Sequence, residues 1–151
     1  MKQIWIYLVT ALGLMLLTNG TDAAKLAPAQ VVCVQTGEGV VTVRTDLGDM
    51  GQGADLREAF LDLKATTPAK VFLDTADYLL VDKTAKKYLP EMRQWLKGDC
   101  RVCEVDEIED LLGAAAYLDA HPPTTKLRDL IAAEMPLPYL TENEGRFCLK
   151  G

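Results

Sequence analysis

"APAQVVCVQTGEGVVTVRTDLGDMGQGADLREAFLDLKATTP", residues 27–68, decides the fold class. Two β-branched runs, Gln30–Thr36 and Val40–Asp46, flank "GEG", a loop suited to a hairpin. The hydrophobic period then changes. Leu56, Ala59, Phe60 and Leu63 fall at i, i+3, i+4 and i+7, one face of a helix. Asp55 stands where an N-cap belongs, with Glu58 three residues on, an acidic form of the capping box. Pro68 closes the segment. A hairpin that hands over to an amphipathic helix is the opening of an α+β domain.

The same alternation runs downstream. Strand signals come at Lys70–Leu73 and Tyr78–Val81, followed by a helical stripe of Ala85, Tyr88, Leu89, Met92 and Leu96. Pro90 kinks that helix or marks its proper start, and Gly98 stops it. "DCRVCEV" reads as a strand of about six residues. "DEIEDLLGAAAYLDAH" reads as a helix with Ile108, Leu111, Leu112 and Ala115 inward, broken by Pro122-Pro123. "TTKLRDLIAAEM" reads as one more helix, and "EGRFCLKG" as a closing strand. The expected fold is therefore a small mixed sheet opening with a β-hairpin, with helices packed against it.

Upstream of the hairpin lies a different kind of segment. Lys2 precedes Ile4 to Leu17, an uncharged apolar run too short for an ordinary membrane span and suited to a signal-peptide core. Small residues come next: Thr21 with Ala23, or Asp22 with Ala24, fit the −3 and −1 positions of a cleavage site. Residues 1–24 read as a signal peptide or an uncleaved membrane anchor, and 25–151 as a single domain. Either way the body is expected outside the cytoplasm, secreted or tethered to the outer face of a bacterial membrane. The net charge of −6 makes nucleic acid and anionic lipid poor partners, because no basic stripe is present. Membrane contact is expected only through the N-terminal segment.

Few residues could carry chemistry. The chain has no serine and one histidine, His121, beside Pro122, so a Ser-His-Asp triad is excluded. Gly51 and Gly53 precede a helix, but Leu56 stands where a dinucleotide fingerprint needs its third glycine. Asp46 and Asp49 do not follow calcium-loop spacing, since Arg57 stands where a Glu is required. Four cysteines remain: Cys33, Cys100, Cys103 and Cys148. On one strand Cys100 and Cys103 would lie about 10 Å apart and face opposite ways, too far for a mutual disulfide. Buried thiols, cross-strand disulfides, a thiol–disulfide redox pair at Cys100 and Cys103, and a metal site all stay open. No cofactor is expected.

The order of parts resembles the N-terminal domain of the C-subunit of spore germinant receptors, exported lipoproteins of endospore-forming bacteria. The resemblance runs over roughly residues 20–151. Gly20-Thr21-Asp22 stands before the first hairpin, where that domain has an early Gly-Cys-Trp-Asp. Gly51 and Gly53 open a helix bearing Glu58-Ala59, "YLLVDKTAKKYLPEMRQWL" leads from strand to helix, and "MPLPYLTENEGRFCLKG" matches a closing Pro-containing stretch and strand. The lipidated cysteine is missing, with Thr21 near its place, and the chain ends after one domain. The resemblance implies a non-enzymatic domain that assembles with membrane-protein partners, and it carries no catalytic residues. Trp95 and Tyr139 are the candidate contact side chains.

Overall fold

A computed structural model describes residues 3–10, 26–67, 70–130 and 135–151. Residues 3–10 are helical (α1), and all of them are exposed. Ala23 and Ala24, the candidate cleavage positions, lie outside the described residues. No helix among the described residues is long and apolar enough to cross a membrane.

The hairpin forms as its pattern requires. Strand β2 (Val31–Gly37) pairs antiparallel with β3 (Val40–Thr45), and Gly37 opposes Val40. That leaves Glu38 and Gly39 as a two-residue loop with φ of 52° and 77°, the left-handed pair that matches strand twist. β4 (Met50–Gly53) then adds antiparallel to β3 at the sheet edge. Short strands β1 (Leu26–Pro28) and β5 (Lys70–Phe72) pair with each other in parallel, apart from the main sheet.

Helix α2 (Leu56–Thr66) starts where expected. The Asp55 carboxylate accepts from Glu58 N at 2.8 Å, and the Glu58 carboxylate accepts from Ala54 N at 2.9 Å. Leu56, Ala59, Phe60 and Leu63 are the buried stripe. Burying each of the larger three contributes about 1.5–3 kcal/mol.

The glycines of residues 50–53 look like turn residues, yet this segment is an edge strand lying directly on α2. A Cβ built on Gly51 would sit 2.7 Å from Leu63 Cα, and one on Gly53 2.6 Å from Ala59 N. These glycines exist so that strand and helix backbones can touch.

The main sheet has the order β4-β3-β2-β6-β7-β8-β9, with β6 Tyr78–Val81, β7 Arg101–Val105, β8 Tyr139–Asn143 and β9 Arg146–Lys150. The inner four, β2, β6, β7 and β8, run parallel, and antiparallel strands flank them on both sides. The fold is thus the expected mixed-sheet α+β domain.

Two apolar layers sandwich this sheet. One holds α2, the 3-10 turn Ala85–Tyr88, the one-turn helix α3 (Leu89–Met92) and Leu127. The other holds α4 (Leu111–Ala120) packed on Val31, Cys33, Leu80, Cys103, Val105 and Leu140.

Two helical expectations change. α4 begins only at Leu111, capped by Asp110, so its inward set is Leu111, Ala114, Ala115 and Leu118, while Leu112 points out at 67% exposure. Ile108 is buried from the loop before it. "TTKLRDLIAAEM" forms only the 3-10 turn Leu127–Asp129 within its described part. Val102 N donates to Thr125 O at 2.9 Å and Leu127 N to Cys100 O at 2.8 Å. Pairing with the start of β7 wins over helix propensity there, and it carries Leu127 and Leu130 into the core.

Candidate functional site

The four parallel strands end together, and the connections leaving two of them build a crevice. After β6 the chain turns toward the α2 layer, through Ala85 and Leu89; after β7 it turns toward the α4 layer, through Ile108 and Leu111. Neighbouring parallel strands whose connections leave on opposite faces open a gap at their carboxyl ends, where ligands of open sheets bind. Asp82 and Asp106 are the first residues past those two strands. A cleft of about 750 Å³ lies there, bounded by Gln35, Thr42, Arg44 and Gln52 as well as by the two aspartates. A second cavity of about 460 Å³ shares Asp82, Asp106 and Glu107 with it and extends over β8. A third, of about 370 Å³, shares Arg44 and Glu109.

The walls are tied by hydrogen bonds. The Asp82 carboxylate accepts from Thr36 N at 2.7 Å, Ala85 N at 2.6 Å and the Thr84 hydroxyl at 3.0 Å, so it locks β2 to the turn after β6. Arg44 donates to Gln35 Oε1 at 2.9 Å and to the Ile108 carbonyl. Gln35 Nε2 donates to the Asp106 carbonyl at 3.2 Å. The Tyr139 hydroxyl donates to the Asp106 carboxylate, which raises the Tyr139 pKa. Glu38, Glu107 and Glu109 keep free carboxylates: none makes a hydrogen bond or ion pair through its side chain among the described residues. The result is a pre-shaped, acidic, polar crevice.

The cysteines are elsewhere. All four are free thiols, so no cross-strand disulfide is formed. Cys33 and Cys103 face α4, both level with Leu80 on the strand between them. Two strand spacings put their Cα atoms roughly 10 Å apart, beyond disulfide reach. Cys100 lies in the opposite layer, as expected from its spacing to Cys103. Cys148 sits on the edge strand β9 and is the exposed one.

Burial pushes the Cys33 thiol up to about 11, the nearby Arg44 opposing it, and pushes Cys100 and Cys103 to about 12. A redox cysteine needs the reverse, an accessible thiol with a lowered pKa. The geometry therefore weighs against a Cys100–Cys103 redox pair. Among the described residues no three His, Cys, Asp or Glu side chains come together as a metal site.

The remaining candidates divide. Tyr139 borders the crevice, whereas Trp95 is half-buried against the core layer that holds α2. Its ring stacks on Phe60 at 4.8 Å, and Lys64 Nζ lies 5.1 Å above it. His121 ends α4 in the open, stacked on Tyr117 at 4.5 Å. Sequence reasoning missed Asp82, Asp106, Gln35 and Arg44. Its available signal was the repeated pattern of an apolar run ending in aspartate, "YLLVD" and "CEVD". No family model, no curated protein and no solved structure matches this chain.

Proposed function

We propose that this chain is an extracytoplasmic binding domain, non-enzymatic, held at a membrane surface by its N-terminal segment and assembling there with membrane-protein partners. The observation that carries the reading is α1. Ile4, Trp5, Ile6, Tyr7, Leu8 and Val9 are each 58–76% exposed, with apolar side chains all round the helix, and none of them belongs to either apolar layer of the described residues. A helix of that character is stable against lipid or protein rather than water. The sealed thiols support binding over thiol chemistry. The resemblance to germinant-receptor C-subunits, in the order of its parts, supplies the class of partner.

The test is in-cell cross-linking of the full chain carrying a photoreactive benzophenone in place of Tyr139. An adduct with a membrane protein, lost when residues 1–24 are removed, is the expected result. Identical adducts with and without that segment would contradict the tether. Adducts with cytoplasmic proteins would contradict the location.

A further inference from the structure

We propose that the crevice at the carboxyl ends of β6 and β7 receives an extended, Lys- or Arg-bearing segment of the protein partner. This rests on the binding-domain reading above and names what the site recognises. Three observations meet here. The first is shape: the three cavities share walls in series, making a trough from Asn143 past Asp82 and Asp106 to Leu112. A trough accommodates a chain better than a compact molecule.

The second observation is an uncovered sheet face. No residue of β3 enters the layer under α4, so Val40 stands exposed and Thr42 and Arg44 half-buried beside the Ile108–Leu112 wall. Val40, Met50 and Leu112 are 39%, 51% and 67% exposed at its borders. These are seats for apolar side chains that alternate with basic ones along an extended segment.

The third is charge. Glu38, Asp82, Asp106, Glu107, Glu109 and Glu142 line the first two cavities, against Arg44 and Lys83. Arg44 already donates to Gln35 and to the Ile108 carbonyl, which leaves little of it for a ligand. The trough is therefore strongly negative and complementary to cations, which speeds encounter and selects partners by sign. Phosphates and carboxylates are repelled. Divalent metal is a poor fit, because the acids do not converge in threes among the described residues.

The test uses full-length protein in detergent and a fluorescein-labelled peptide alternating Lys with Val, read by anisotropy. The control is the same peptide with Glu for Lys. Glu107→Gln with Glu109→Gln removes two charges whose carboxylates make no hydrogen bond or ion pair among the described residues. Melting by circular dichroism confirms that the variant folds.

The Lys peptide is expected to bind and the Glu peptide not. Binding should weaken several-fold in the double variant, and should weaken again as salt shortens the Debye length from about 30 Å to about 8 Å. Equal affinity for the two peptides, or for wild type and variant, overturns the proposal. Spermidine binding as tightly as the peptide also overturns it, in favour of a small-cation site. A chain that still cross-links to a membrane protein but ignores the Lys peptide refutes the crevice and leaves the binding-domain reading standing.

Discussion

Replacing Gly51 by alanine tests how the edge of the sheet is built. The new methyl would lie 2.7 Å from Leu63 Cα, with Ala59 O and Leu63 N closer still. Every one of these neighbours is backbone, so no side chain can swing away. β4 and α2 must separate, and Phe60 and Leu63 lose part of their packing. Overpacking of this kind costs about 1–3 kcal/mol, and a backbone-to-backbone clash belongs at the top, about 3 kcal/mol.

For a chain of this length about 2–4 °C is lost per kcal/mol, so Gly51→Ala should melt about 6–12 °C below wild type. Circular dichroism melts measure it, with Gly37→Ala as the control: nothing lies within 4 Å of its new methyl and its φ is not positive. Gly37→Ala should stay within about 0.5 kcal/mol of wild type. A Gly51→Ala protein as stable as Gly37→Ala would refute the close-approach argument.

Four further outcomes are expected. In native protein at pH 8 a thiol reagent should titrate Cys148 alone. With pKa values near 11 and 12, the thiolate fraction is on the order of a thousandth for Cys33 and a ten-thousandth for Cys100 and Cys103. Because those pKa values are raised by folding, stability should be full below the free-thiol value of about 8.5 and fall as pH climbs through 11–12. Cys103→Ala should shallow that alkaline limb, and an unchanged limb would contradict the burial argument. At the acid end, the Tyr78 hydroxyl at 2.7 Å and the Gln30 amide at 2.9 Å hold Asp119 below its usual pKa. Its contribution is present above about pH 3.9 and lost as pH falls through the lower folded value, so Asp119→Asn should flatten part of the acid limb. Asp55→Ala should cost about 1 kcal/mol in urea melts, the worth of an N-cap.

The sequence announced the hairpin and α2 because each depends on neighbours in the chain: a two-residue loop at Glu38-Gly39, and a cap at Asp55 three residues before Glu58. β4 was hidden. Gly51 and Gly53 look like turn residues, and the reason for them, the backbone of α2, is a tertiary fact. The 3-10 turn at Leu127–Asp129 was illegible for a similar cause, since its competitor is the start of β7, far earlier in the chain.

The face of Cys100 relative to Cys103 was legible, because alternation along one strand is local. That Cys33 and Cys103 share a face depends on the parallel order β2-β6-β7, which hydrophobic pattern does not encode. The crevice was illegible for the same reason: Asp82 and Asp106 become neighbours only when β6 pairs β7 and their connections part to opposite faces.

The most direct measurement is the side of the membrane on which Cys148 stands. A membrane-impermeant maleimide applied to intact cells should label this exposed thiol in full-length protein that sediments with membranes, and Cys148→Ala should abolish the signal. Labelling that appears only after the cells are broken would place the domain inside and contradict the account.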